Sequence, residues 1–95
     1  MLLLFYEMDG KRKKSSQKRH DYIPEEVLKL MGKRIKELRI KKGYTSAEMF
    51  AYEYEIPRAQ LGRYEKGQDL RMSSLVKLVN AFGITLEDFF SEGFE

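Results

Sequence analysis

Apolar residues recur along this chain at helical rather than alternating spacing. Leu28, Met31, Ile35 and Leu38 follow the i, i+3, i+4 rhythm of one buried helix face. Pro24 suits a first helical position, with Asp21 or Tyr22 just ahead of it, and Glu25 and Glu26 place acids where the helix dipole favours them. Lys41-Lys42-Gly43 supplies a basic, glycine-stopped end. Lys29, Lys33, Arg34 and Lys36 fall mostly away from the apolar stripe and are expected in solvent. Gly32 is a point at which the helix could divide, since an interior glycine costs about 1 kcal/mol.

A second helix is expected after Ser46, a good N-cap, with Met49, Phe50 and Tyr54 or Glu53 completing two turns and Ala51 small enough for close contact. Pro57 holds Ile56 extended and ends that helix, while a third can begin at 57 or 58 and run to Lys66-Gly67. Leu75, Leu78, Val79 and Phe82 mark a fourth, capped by Ser73 or Ser74 and stopped at Gly83. Thr85 and Asp88 form a near capping box for a fifth, whose Leu86, Phe89 and Phe90 would close the core. Five helices and no convincing strand predict an all-α bundle over residues 23–95.

Residues 1–22 read as a separate extension. MLLLFYEM could form one strand but has no partner strand, Asp9-Gly10 signals a turn, and KRKKSSQKRH carries six Lys/Arg with no acid. That run is equally a solvated linker or a functional arm. The opening apolar stretch precedes its charges and is short, unlike a secretory signal. Nothing approaches the roughly 20 apolar residues of a membrane span, so a cytoplasmic protein is expected, with no membrane partner.

Composition narrows the chemistry. The chain has 42% hydrophobic and 35% charged residues, which is globular rather than membranous. With no Cys it has no disulfide, thiolate nucleophile or Cys-based zinc site, and one histidine, His20, is too little for a His-based metal site. No Ser/His/Asp set, phosphate-cradling glycine loop or metal spacing is visible, so neither an enzyme nor a cofactor is expected, and no aromatic stacking platform points to single strands or RNA. The net charge of +3 is unevenly spread: residues 29–42 hold seven Lys/Arg against Glu37 alone, whereas 83–95 hold four acids and no Lys/Arg. Such a molecule can orient itself toward a polyanion. Lys33, Lys36, Lys41 and Lys42 suit phosphate contact and simple solvation alike.

The stretch SAEMFAYEYEIPRAQLGRYEKG, residues 46–67, is the most informative. A short helix, a four-residue break and a second short helix carrying Arg58, Gln60 and Arg63 make the layout of a helix-turn-helix, narrow enough for a DNA major groove. With GKRIKELRIKKG before it and SLVKLVNAFGITLEDFF after it, the chain resembles the phage repressor and Cro-type (XRE-like) helix-turn-helix family over roughly residues 28–92.

The resemblance implies a compact five-helix repressor-type domain whose third helix faces DNA through Arg58, Ala59, Gln60 and Arg63, with Lys66 near the backbone. It also implies a partly buried ion pair between Arg39 and Glu65, and core positions at Ile56, Leu61 and Tyr64. Three residues depart from the family pattern. Ala47 replaces a common Gln that grips phosphate, a contact Ser46 or nearby backbone N–H groups could assume. Glu55 stands where the turn usually has Gly, requiring either a left-handed backbone or a shifted turn. Gly62 interrupts the third helix, through drift or for close approach to DNA. Because Arg58 and Arg63 are five residues apart, they project about 140° from one another, so both cannot point straight into a groove.

The leading expectation is a sequence-specific double-stranded DNA-binding regulator, most simply a repressor, acting as a homodimer because one recognition helix reads too few base pairs. Dimer contacts would come from Phe89, Phe90 and Phe94 or from MLLLFYEM. The alternative is an antitoxin-like adaptor that captures a protein partner through residues 1–22.

Overall fold

A computed structural model describes residues 21–95, and the readings made above for MLLLFYEM and the basic run lie outside the described residues. Five helices follow in order: α1 Pro24–Lys41, α2 Ala47–Glu53, α3 Arg58–Glu65, α4 Met72–Phe82 and α5 Leu86–Phe90. Helix α1 packs chiefly on α3, α2 also lies against α3, and α4 joins α1 to α5.

The core draws on every helix. Ile35 and Leu38 meet Phe50 and Ala51, Leu61 and Tyr64, Leu75, Leu78, Val79 and Phe82, and Phe89. Phe50 is at its centre, stacked on Phe82 at 5.3 Å and meeting Tyr44 edge-on at 5.4 Å between ring centroids. Such pairs add about 0.5–1.5 kcal/mol each beyond the area they bury.

Gly32 does not divide α1. It lies buried within one unbroken helix, where a Cβ would stand 2.6 Å from the Tyr64 carbonyl oxygen and 2.7 Å from that of Glu65. The missing side chain lets the end of α3 lie directly on α1. Helix propensity therefore yields to tertiary approach at this position.

Helix ends follow a common scheme. After α1, Gly43 N–H donates to Ile40 and Tyr44 N–H to Arg39. After α3, Gly67 N–H donates to Tyr64 and Gln68 N–H to Arg63. Both are Schellman endings with a left-handed glycine. After α2 the same two bonds form, Glu55 N–H to Tyr52 and Ile56 N–H to Ala51, but the left-handed residue is Glu55, at φ 57°. The turn has not shifted; Glu55 takes the strained conformation. Lys77 Nζ on α4 donates to the Glu55 carbonyl oxygen at 3.2 Å and latches it.

Several expectations need correction. Ser73 and Ser74 do not cap α4, which begins at Met72 after an extended Arg71. Ser74 instead lies 3.4 Å from the Tyr64 hydroxyl, joining α4 to α3. Leu86 and Phe90, expected to close the core with Phe89, are partly open, because the short α5 buries only one narrow edge. Arg34, expected in solvent, is buried. Its Nε donates to the Phe89 carbonyl at 2.8 Å and its Nη2 to that of Asp88 at 2.7 Å, so it clasps α5 to α1. The capping box is present in full, with Thr85 Oγ1 accepting from Asp88 N–H and the Asp88 carboxylate from Thr85 N–H.

Two substitutions test this packing. Gly32→Ala, which in an isolated helix would stabilise, should cost about 2 kcal/mol here through overpacking on the α3 carbonyls. Glu55→Gly should stabilise by about 1 kcal/mol, the relief of left-handed strain exceeding the added freedom of the unfolded glycine. Thermal unfolding followed by circular dichroism reads both. A higher Tm for Gly32→Ala, or a lower one for Glu55→Gly, contradicts the respective account.

Candidate nucleic-acid interface

The four residues Tyr54–Pro57 separate α2 from α3, and Ile56 is buried at the joint. At 100° per residue, Leu61 and Tyr64 define the inward side of α3. The other side runs in angular order from Arg58 through Gly62, Lys66 and Ala59 to Arg63, an arc of about 140°. Arg58, Ala59, Arg63 and Lys66 are all exposed on it.

Gln60 departs from that set. It is half-buried in a recess of about 80 Å³ with Pro57, Tyr64, Ser74 and Lys77 among its neighbours, turned toward α4. This follows from its place about 200° around the helix from Arg58.

Charge on α3 is sorted by direction. Glu65, the helix's one carboxylate, is turned inward, where its two oxygens accept from Arg39 Nε at 2.8 Å and Nη2 at 3.2 Å. Arg39 Nη1 donates to the Tyr44 carbonyl at 2.7 Å, so one guanidinium ties α1, the loop before α2 and the end of α3. Both side chains are nearly excluded from water. Losing either partner would strand a buried charge, a cost of about 3–5 kcal/mol. On the outward arc, by contrast, no carboxylate among the described residues pairs with Arg58, Arg63 or Lys66.

Ser46 lies at the start of α2, where its Oγ accepts from Met49 N–H at 3.3 Å. A hydroxyl that accepts still has its proton to donate. Ala47, half-buried, offers no polar group. Tyr52 stands 86% exposed on α2 beside the exposed Met49. Tyr44, which packs near Tyr54, has its phenol pushed above the ordinary range, first by a hydrogen bond with Tyr54 and then by desolvation and the nearby Glu53, so it stays neutral well above neutral pH. No group of His, Cys, Asp or Glu among the described residues is placed to hold a metal ion. No described helix is long and apolar enough to cross a membrane.

Two contributors to this geometry carried no sequence signal. Arg34 is one more cation in a basic run, with nothing to distinguish it from Lys33. Lys77 reads as a solvated side chain between core residues until its bond to the Glu55 carbonyl is seen.

The comparisons agree with this architecture. The helix-turn-helix family model matches residues 35–89, which span α3 and its packing partners. Among solved structures, the restriction-modification controller protein C.AhdI from Aeromonas hydrophila is similar at 30% identity with a TM-score of 0.61, covering 68% of this chain and 98% of that one. No curated protein matches the sequence. The chain belongs to the phage repressor and Cro-type (XRE-like) helix-turn-helix family of DNA-binding regulators.

Proposed function

We propose that the protein reads specific double-stranded DNA with α3 in the major groove and represses transcription by occluding a promoter. The observation that carries this reading is the sorting of charge on α3: Glu65 is withdrawn onto Arg39, while Arg58, Arg63 and Lys66 face outward without acidic partners. Likeness to a restriction-modification controller supports a regulatory role. A chain without cysteine suits the reducing cytoplasm where such a regulator would act.

Roles follow from chemistry and place. Arg63 pairs bidentately with guanine O6 and N7, an interaction worth about 1–3 kcal/mol of discrimination. Ala59 lets the backbone approach. Lys66 and the Ser46 hydroxyl hold phosphate, Ser46 standing in for the grip that Ala47 lacks. Gln60 reaches an adenine edge only by leaving its recess, which makes it the weakest reader of the four helix positions expected from sequence.

Selection of bound duplexes from a random pool, followed by affinity measurements, tests the assignment. Arg63→Ala should relax preference at one base position, whereas Lys66→Ala should weaken specific and random duplex alike. Equal losses on both duplexes for both variants would refute it.

Two recognition helixes are needed for a selective site, so the reading includes a homodimer on paired half-sites. Phe89, at 0% exposure, is spent on the protomer's own core and cannot serve that contact. Phe90 can: it is 43% exposed and, with Val27, Phe94 and Tyr22, lines an open apolar recess of about 460 Å³. Phe90→Glu should shift the sedimentation mass from two chains to one and reduce operator affinity. A wild-type mass of one chain at micromolar concentration contradicts the dimer.

A further inference from the structure

Gly62 stands in the middle of a DNA-facing helix, where glycine weakens helix formation, and the fold needs no glycine there. Its φ is ordinary for a helix, and no core atom crowds it. Gly32 differs in having the backbone of another helix against it. A Cβ on Gly62 would meet one atom, Arg58 Nη1, at 2.9 Å. The Arg58 side chain therefore lies along the helix, one turn on, over the surface that glycine leaves bare.

The position matters because of the angular arithmetic of α3. Arg58 begins at one rim of the outward arc, about 140° from Arg63, too far apart for both to enter a groove directly. Position 62 is about 40° round from 58, toward the middle of the arc. Resting on Gly62 carries the guanidinium inward from the rim and cuts its separation from Arg63 to about 100°. Among the described residues no carboxylate or carbonyl holds Arg58 there, so its donors remain available.

We propose that Gly62 is a specificity-determining residue, the bare helix surface that seats the Arg58 guanidinium on the groove-facing arc so that Arg58 as well as Arg63 reads a guanine edge. The inference rests on the reading of α3 as the recognition helix. Gly62 contacts no base itself and acts through Arg58. A Cβ here is opposed only by the end of a flexible side chain, so alanine at this position leaves the fold intact and displaces Arg58 alone.

Parallel selections from a random duplex pool with wild type, Arg58→Ala, Gly62→Ala and the double variant test the proposal, with Tm measured for each. Gly62→Ala should raise Tm, as alanine is the better helix former. It should also lose preference at the same base position as Arg58→Ala, with an affinity loss on the wild-type consensus of about tenfold. Binding to random duplex should hold within about twofold, and the double variant should be no worse than Arg58→Ala. A Gly62→Ala consensus identical to wild type overturns the proposal, as does a change at a base position that Arg58→Ala leaves untouched, or an Arg58→Ala consensus unaltered from wild type. Failure of the wild type itself to select any consensus instead overturns the proposed function.

Discussion

The approach of α3 onto α1 at Gly32 governs the rest of the molecule. Backbone meets backbone there, with the Tyr64 and Glu65 carbonyl oxygens where a side chain would otherwise stand. About two helical turns further along α1, Arg39 clamps Glu65 and the Tyr44 carbonyl. Contact so close cannot slide, because the glycine fixes depth and the guanidinium fixes rotation. With the inward side of α3 held in this way, its opposite side is committed to solvent.

The same clamp has an electrostatic consequence. A carboxylate on the outward arc would repel phosphate and compete for the neighbouring guanidinium groups. Engaging Glu65 with Arg39 removes that competition and leaves basic side chains as the only charges on the arc. The stability of α3 and the attraction of a polyanion thus draw on one ion pair. Arg34 performs a related task in the middle of α1, two residues past Gly32, where it holds the carbonyl end of α5 and keeps Phe89 over the core.

Much of this was legible in the sequence where local chemistry and global fold agree. Pro24 and Pro57, Ser46, the Thr85–Asp88 pair and the glycines at 43, 67 and 83 stand at helix ends because each satisfies or omits a backbone group locally. Leu75, Leu78, Val79 and Phe82 are buried as their spacing predicts. The misreadings arise where a distant partner decides. Gly32 looked like a break because nothing local reveals the α3 carbonyls, and Arg34 looked solvated because its acceptors are 54 and 55 residues away. Ser74 looked like a cap, yet it faces Tyr64. For Gln60 the resemblance implies a DNA-facing place, while helical phase turns it toward α4 in the free protein. Exposure of Phe90 could not be read from spacing either, since α5 is too short to cover both of its aromatic faces.

The central claim is that the arc from Arg58 to Arg63 is the surface that meets DNA. Backbone amide shifts of isotopically labelled protein, recorded while the duplex recovered by selection is added, test this most directly. The account predicts the largest changes at residues 58–63 and around Ser46, with Arg34, Ile35 and Phe89 unmoved. Binding that leaves α3 unperturbed and shifts the Val27, Phe90 and Phe94 face instead would contradict it.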